Sequence, residues 1–247
     1  LKRFPQNIMK SEKIIAMWSG PRNISTAMMR SFENRKDTAV TDEPFYSHYL
    51  LKTKLKHPGR EDIIASQSTD WNKIVKKLIG RIPNKKKIWY QKHMAHHNLD
   101  GYDLSWTFNL FNCFLIRNPA EVITSYTKQF PITDHLQLGY DQQVNLFKLI
   151  RKNTGRIPPV IDAKDILLNP KEQLTKLCQK VGIKFKGSMM SWPKGLRKTD
   201  GVWAAYWYEG VNNSCGFKPY IEKKTQILKT HKHILSKCIK SYEFLCN

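Results

Sequence analysis

Five short apolar runs recur along the first two thirds of the chain, at residues 13–18, 38–41, 87–91, 111–116 and 159–161. Stretches with helical spacing separate them, at 24–32, 71–79, 120–127 and 140–153. Runs this short suit buried strands, and strands that alternate with helices pair in parallel when the helices cross over the faces of the sheet. The pattern predicts an α/β fold in three layers, a mostly parallel central sheet flanked by helices. At 247 residues one such unit accounts for the length. We expect a single domain over residues 9–247. Residues 1–8 are expected to be upstream sequence or an expression remnant, because the chain opens on Leu1 and Met9 would make a natural start.

Two further helices are predicted. Asn169 and Pro170 head one in which Leu174, Leu177, Cys178 and Val181 recur at i, i+3, i+4 and i+7 before Gly182 stops it. Residues 221–245 carry the other, with Ile227, Leu228, Ile234, Leu235, Cys238, Ile239 and Tyr242 on one stripe.

Lys and Arg outnumber Asp and Glu by 42 to 20, a formal charge of +22 that draws anions without naming one. Part of it is a solvated basic surface, as at Lys85–Lys87. Five scattered cysteines without a C-x-x-C pair exclude a disulfide framework and a zinc knuckle. No apolar run approaches the ~20 residues of a membrane span. A reducing, cytoplasmic setting without membrane or nucleic-acid partners is the expectation.

The chemistry concentrates at two strand ends. After the first strand, Ser19 to Asn23 form a turn whose backbone N–H groups and following helix dipole suit an anion. Arg22 brings a guanidinium there, and Ser25 and Thr26 bring hydroxyls. The Gly-Lys pair of a nucleotide triphosphatase loop is missing. After the strand at 111–116, Arg117 is followed by a helix start at Asn118, Pro119 and Glu121 that carries Ser125 two turns on. An arginine and a serine so placed converge on one phosphate.

The segment Pro21-Arg22-Asn23-Ile24-Ser25-Thr26 resembles the P-K-S-G-T-T or P-R-S-G-T-T loop of sulfotransferases that use 3′-phosphoadenosine 5′-phosphosulfate (PAPS). Arg117 and Ser125 resemble the R-x7-S of the same family, within its R-N-P opening. Arg197 and Lys198 resemble more loosely the R-K-G-x-x-G-D-W element, one residue short and without its first glycine. Asn23-Ile24 replaces Ser-Gly, and Ala27 stands where a tryptophan often stacks on adenine. The resemblance implies a P-loop NTPase-like sulfotransferase fold, PAPS as donor with 3′,5′-bisphosphoadenosine as product, no metal, and a small-molecule acceptor with a hydroxyl or amine.

In such a loose, in-line transfer Arg22 is the candidate to neutralise charge on the bridging oxygen. A positioned base must take the acceptor's proton. Cytosolic sulfotransferases carry K-x-H after a comparable strand, and here Lys92-His93 stands nearest, with His96 and His97 as further candidates. Glu43 resembles the glutamate base of the tyrosylprotein branch, while Asp42 would cap the next helix. A zinc site from His93, His96 and His97 is a weaker reading. The aromatic run Trp203, Tyr206, Trp207, Tyr208 either faces an aromatic or nitrogenous acceptor or packs in the core. Two competing functions are an ATP-dependent kinase-like enzyme and a non-catalytic basic polyanion-binding module.

Overall fold

The computed structural model describes residues 12–222 and 224–247. Strands β1 (Lys13–Ser19), β2 (Thr38–Asp42), β3 (Ile88–Met94), β4 (Phe111–Ile116) and β5 (Val160–Asp162) form one sheet in the order β2-β3-β1-β4-β5. Every neighbouring pair in it is parallel. The helices are α1 (Ser25–Glu33), α2 (Tyr46–Thr53), α3 (Arg60–Ser66), α4 (Trp71–Leu78), α5 (Pro119–Tyr126) and α6 (Tyr140–Thr154). They continue with α7 (Ala163–Leu168), α8 (Pro170–Lys180), the short α9 (Ala204–Trp207) and α10 (Glu209–Asn212), and α11 (Lys232–Cys246).

Successive side chains of a strand point to opposite faces, so each strand feeds both apolar layers. Ile15 and Met17 of β1 and Ile88 and Tyr90 of β3 join α1 and α8 through Met28, Phe32, Leu174 and Leu177. Ile14, Ala16 and Trp18 of β1 and Trp89 of β3 join α4 and α6 through Trp71, Ile74, Leu146 and Phe147. A sheet so covered on both faces buries its three central strands, β3, β1 and β4, almost throughout. All strand carboxyl ends lie on one edge, the place where open parallel sheets bind ligands.

The expected strands and helices form, with shifts of a few residues at their ends. Two corrections have physical content. The stripe at 221–245 is α-helical only from Lys232, after a single 3-10 turn at Lys229–His231. Upstream, Leu228 is extended, Ile221 and Leu228 are exposed, and the Gln226 backbone is tied to the Thr124 hydroxyl instead. Asn169 precedes α8 without a side-chain cap, whereas Asn118 does cap α5 by accepting from the Ala120 N–H.

Candidate active site

The loop after β1 is clamped from below. Asn23, buried, donates from Nδ2 to the Leu115 carbonyl of β4 at 2.6 Å, fixing the loop against the neighbouring strand end. Its flanking residues take the left-handed region, Arg22 at φ 56° and Ile24 at φ 45°. For a β-branched residue that conformation costs roughly 1–3 kcal/mol. Gly20 is required for a different reason, since a Cβ there would meet the Leu138 carbonyl oxygen. Helix α1 then begins without a side-chain cap and without an acid in its first turn. Its first N–H groups therefore keep their partial positive charge for something else.

The end of β4 reaches the same place. Arg117 Nη1 donates to the Arg22 carbonyl oxygen at 2.9 Å, across 95 residues of chain. Its Nε and Nη2 donate to Glu121 Oε2 one turn down α5, at 2.9 and 2.7 Å. Arg22 Nε donates to Ser125 Oγ at 3.0 Å. Burial, and then the Arg117 charge beside it, lowers the pKa of Arg22. Among the described residues only Arg117 of the two has an acidic partner, Glu121, so the pair of guanidiniums keeps a positive charge that suits an anion.

Pro21 through Thr26, Arg117 and Ser125 line one cavity of about 420 Å³, as do Glu43 and Lys92. The size is that of a small-molecule site. Its far wall comes from Tyr46 of α2, His57, Trp207, Tyr208 and the segment 216–221.

Under this wall lies a buried charge cluster. Asp42 and Lys92 are register partners on β2 and β3, so their side chains share a face. Lys92 Nζ donates to Asp42 Oδ1 at 2.9 Å, Glu43 Oε1 at 2.5 Å and Tyr208 Oη at 2.8 Å. Tyr208 Oη donates to Asp42, 2.7 Å from Oδ2, and accepts from Trp203 Nε1 at 3.1 Å. Burial pulls the Lys92 pKa down, but Asp42 and Glu43 outweigh it and the ammonium titrates above its usual range. Burial raises Glu43 above the usual carboxylate range, with Lys92 opposing and Asp42 adding to it. Asp42, expected to cap a helix, is instead consumed by Lys92, Tyr208 and the Gly201 N–H.

Several expected residues lie elsewhere. His93 follows Lys92 directly, so its ring points to the opposite face of the sheet. It stacks on Trp18 with ring centroids 4.2 Å apart, bonds Gln91 through Nε2, and is held at about 3 by burial. The position two residues after Lys92, which does face the cavity, is Met94. Arg197 pairs with Glu33 of α1 at 3.1 Å, and neither it nor Lys198 lines the cavity. Arg30, fully buried, holds the same segment through Asp200 at 2.6 Å.

His96 and His97 do line the cavity, on the turn after β3, as neutral imidazoles with His96 at about 3 because of burial. No group of three or more His, Cys, Asp or Glu suited to a metal ion occurs among the described residues. Of the aromatic run, Trp207 and Tyr208 face the cavity, Trp203 is buried, and Tyr206 packs over Gly59. Tyr46 and His57, bonded Oη to Nδ1 at 2.8 Å, had no motif to announce them.

A family model described as a sulfotransferase domain matches residues 12–237. Two curated proteins of Arabidopsis thaliana, branched-chain-amino-acid aminotransferase-like proteins 2 and 1, are each 32% identical, over 94% and 96% of this chain. The chain spans 41% and 42% of their lengths. The solved sulfotransferase domain from the curacin biosynthetic pathway shares the fold at a TM-score of 0.51 and 13% identity, covering 94% of this chain and 98% of that one. No helix among the described residues is long and apolar enough to cross a membrane.

Proposed function

The chain belongs to the sulfotransferase family, and from that premise we propose that it moves a sulfuryl group from PAPS to a hydroxyl or amine of a small, aromatic or nitrogenous acceptor. The observation that carries this reading is the meeting of two strand ends, with Arg22 bonded to Ser125 and Arg117 bonded to the Arg22 backbone inside one cavity. The donor set fits PAPS. It offers two guanidiniums, three hydroxyls and an uncapped helix start, all of them groups that bind phosphate and sulfate oxygens.

In this reading Arg117 and Ser125 hold the 3′-phosphate, while the loop N–H groups, Ser25, Thr26 and Arg22 hold the 5′-phosphosulfate. PAPS supplies an activated sulfuryl group whose bond to the bridging oxygen breaks as sulfur bonds the acceptor, releasing 3′,5′-bisphosphoadenosine. Arg22 stabilises charge on the departing oxygen, and removing such a donor costs ~10²–10³ in rate. The acceptor's proton goes to Glu43, which lines the cavity with Oε1 fixed by Lys92 and Oε2 left for the acceptor. Glu43 is preferred to His96 and His97 because burial raises its basicity and lowers theirs. Arg197 and Lys198 play no part in this arrangement. Five free cysteines fit a reducing, cytoplasmic setting.

The kinase-like alternative needs an acid to hold magnesium, and Asp42 is spent on Lys92, Tyr208 and Gly201. Thermal unfolding distinguishes the two. 3′,5′-Bisphosphoadenosine without magnesium is expected to stabilise the fold, by ~4 kcal/mol at a thousandfold excess over its Kd. Stabilisation by ATP with magnesium instead, and none by bisphosphoadenosine, refutes the proposal.

A further inference from the structure

We infer that Tyr208 and Asp42 are positioning residues that lock the Lys92 ammonium onto Glu43, so that Lys92 serves the proton acceptor and makes no bond to the sulfuryl donor. The inference rests on Glu43 being the base, as proposed above.

The argument is a donor count. An ammonium has three N–H groups and no acceptor. Asp42, Glu43 and Tyr208 each take one, at 2.9, 2.5 and 2.8 Å, and the Lys92 side chain is 1% exposed. Nothing is left over for a phosphosulfate oxygen, although Lys92 lies along the cavity. The Tyr208 hydroxyl is closed in the same way, with its proton on Asp42 and its lone pairs facing Lys92 and Trp203. Asp42 takes the Gly201 N–H as well. Two carboxylates and one ammonium leave a net negative charge, and of the two acids only Glu43 lines the cavity. The cluster thus delivers its surplus charge at the carboxylate that faces the acceptor.

A buried ammonium stays charged only while its partners are fixed. Asp42 is fixed by strand register, and Tyr208 by Trp203 and by α9 and α10, which Arg30 pins to α1 through Asp200 and Asn212. The charged or titratable groups facing Glu43 are Lys92 from β3, Asp42 from the end of β2, Tyr208 from the α9–α10 junction and Tyr46 from α2.

The two positioning residues act on Glu43 with opposite sign. Tyr208, bonded to Lys92 and Asp42 rather than to Glu43, lowers the Glu43 pKa by holding the ammonium in place, and the Asp42 charge raises it. The test is a carboxyl-carbon NMR titration of the whole chain labelled at glutamate, with Glu43 assigned from the signal lost in Glu43→Gln. Tyr208→Phe is expected to move the Glu43 titration to higher pH, and Asp42→Asn to lower pH. In both variants, affinity for 3′,5′-bisphosphoadenosine by calorimetry is expected to stay within ~3-fold, since no donor contact is touched. A Glu43 titration unmoved in either folded variant overturns the inference. So does a loss of bisphosphoadenosine affinity in Asp42→Asn comparable to that in Arg22→Ala, because Lys92 would then be binding the donor. If one variant fails to fold, the other still decides by the sign of its shift. Glu43→Gln turning over PAPS at the wild-type rate would remove the base reading while leaving the titration outcome separate.

Discussion

The two halves of the cavity hold charge in opposite ways. On the side proposed for the donor, Arg22 and Arg117 present guanidiniums from two loops, their N–H groups shared among Ser125, Glu121 and a backbone carbonyl. On the side proposed for the acceptor, Lys92 is sealed among three partners with its side chain 1% exposed. The first arrangement has repulsion between like charges to relieve, and an anion relieves it. The second satisfies its ammonium from within, with three partners for three N–H groups. Cations of similar formal charge therefore do different work, and the number of unspent donors separates them better than proximity does.

Substitutions that break this contrast range from large effects to small. Glu43→Gln is expected to lower kcat by ~10²–10⁴, the scale of removing a general base. Affinity for bisphosphoadenosine should be preserved, with turnover read as its release from PAPS in the presence of a phenol or arylamine found by screening. Arg117→Ala reverses the pattern and should cost ~100-fold in bisphosphoadenosine affinity by calorimetry, as expected for a partly buried charge contact. Arg197→Ala, which removes only a pair with Glu33, should change it by less than ~2-fold. An affinity loss in Arg197→Ala equal to that in Arg117→Ala would restore the looser motif to the donor site.

Gly20→Ala tests the loop without touching a ligand group. The added methyl meets the Leu138 carbonyl oxygen, and displacing the turn should destabilise by ~1–3 kcal/mol, read as a fall of a few degrees in Tm.

The smallest effect concerns the apolar layer on the other face. Burial holds His93 at about 3, against 6.5 for a free imidazole. Below 6.5 the unfolded chain takes up a proton that the folded one refuses, so this contribution is present above 6.5 and lost as pH falls towards 3. His93→Phe should flatten the decline of Tm between about pH 6 and pH 4 and leave kcat within ~3-fold, because the ring packs on Trp18 and does not line the cavity. A His93→Phe variant that loses turnover as Glu43→Gln does would return the base to the imidazole.

Legibility followed sequence distance. The strands, the helices over their faces and the two turns at the ends of β1 and β4 are local, and their residue types appear in order along the chain. His93 shows the limit of reading neighbours as equivalents. Lys92 and His93 are adjacent on β3, and a strand sends adjacent side chains to opposite faces, so only one of them could reach the cavity. That rule was available without coordinates. The tie of Arg197 to Glu33 was not, because it depends on how the segment after residue 190 folds back on α1.

What the sequence determined alone was the parallel α/β layering and the Arg22 and Arg117 turns, since strand periodicity and helix starts are set by residues within a few positions of one another. Only the tertiary structure decided the company of Glu43. Asp42, Lys92 and Tyr208 lie up to 166 residues apart and meet through the β2–β3 register and the return of α9 and α10 to the sheet edge. Burial then fixes their charges, because taking an ammonium out of water is tolerated only where acids are already waiting for it.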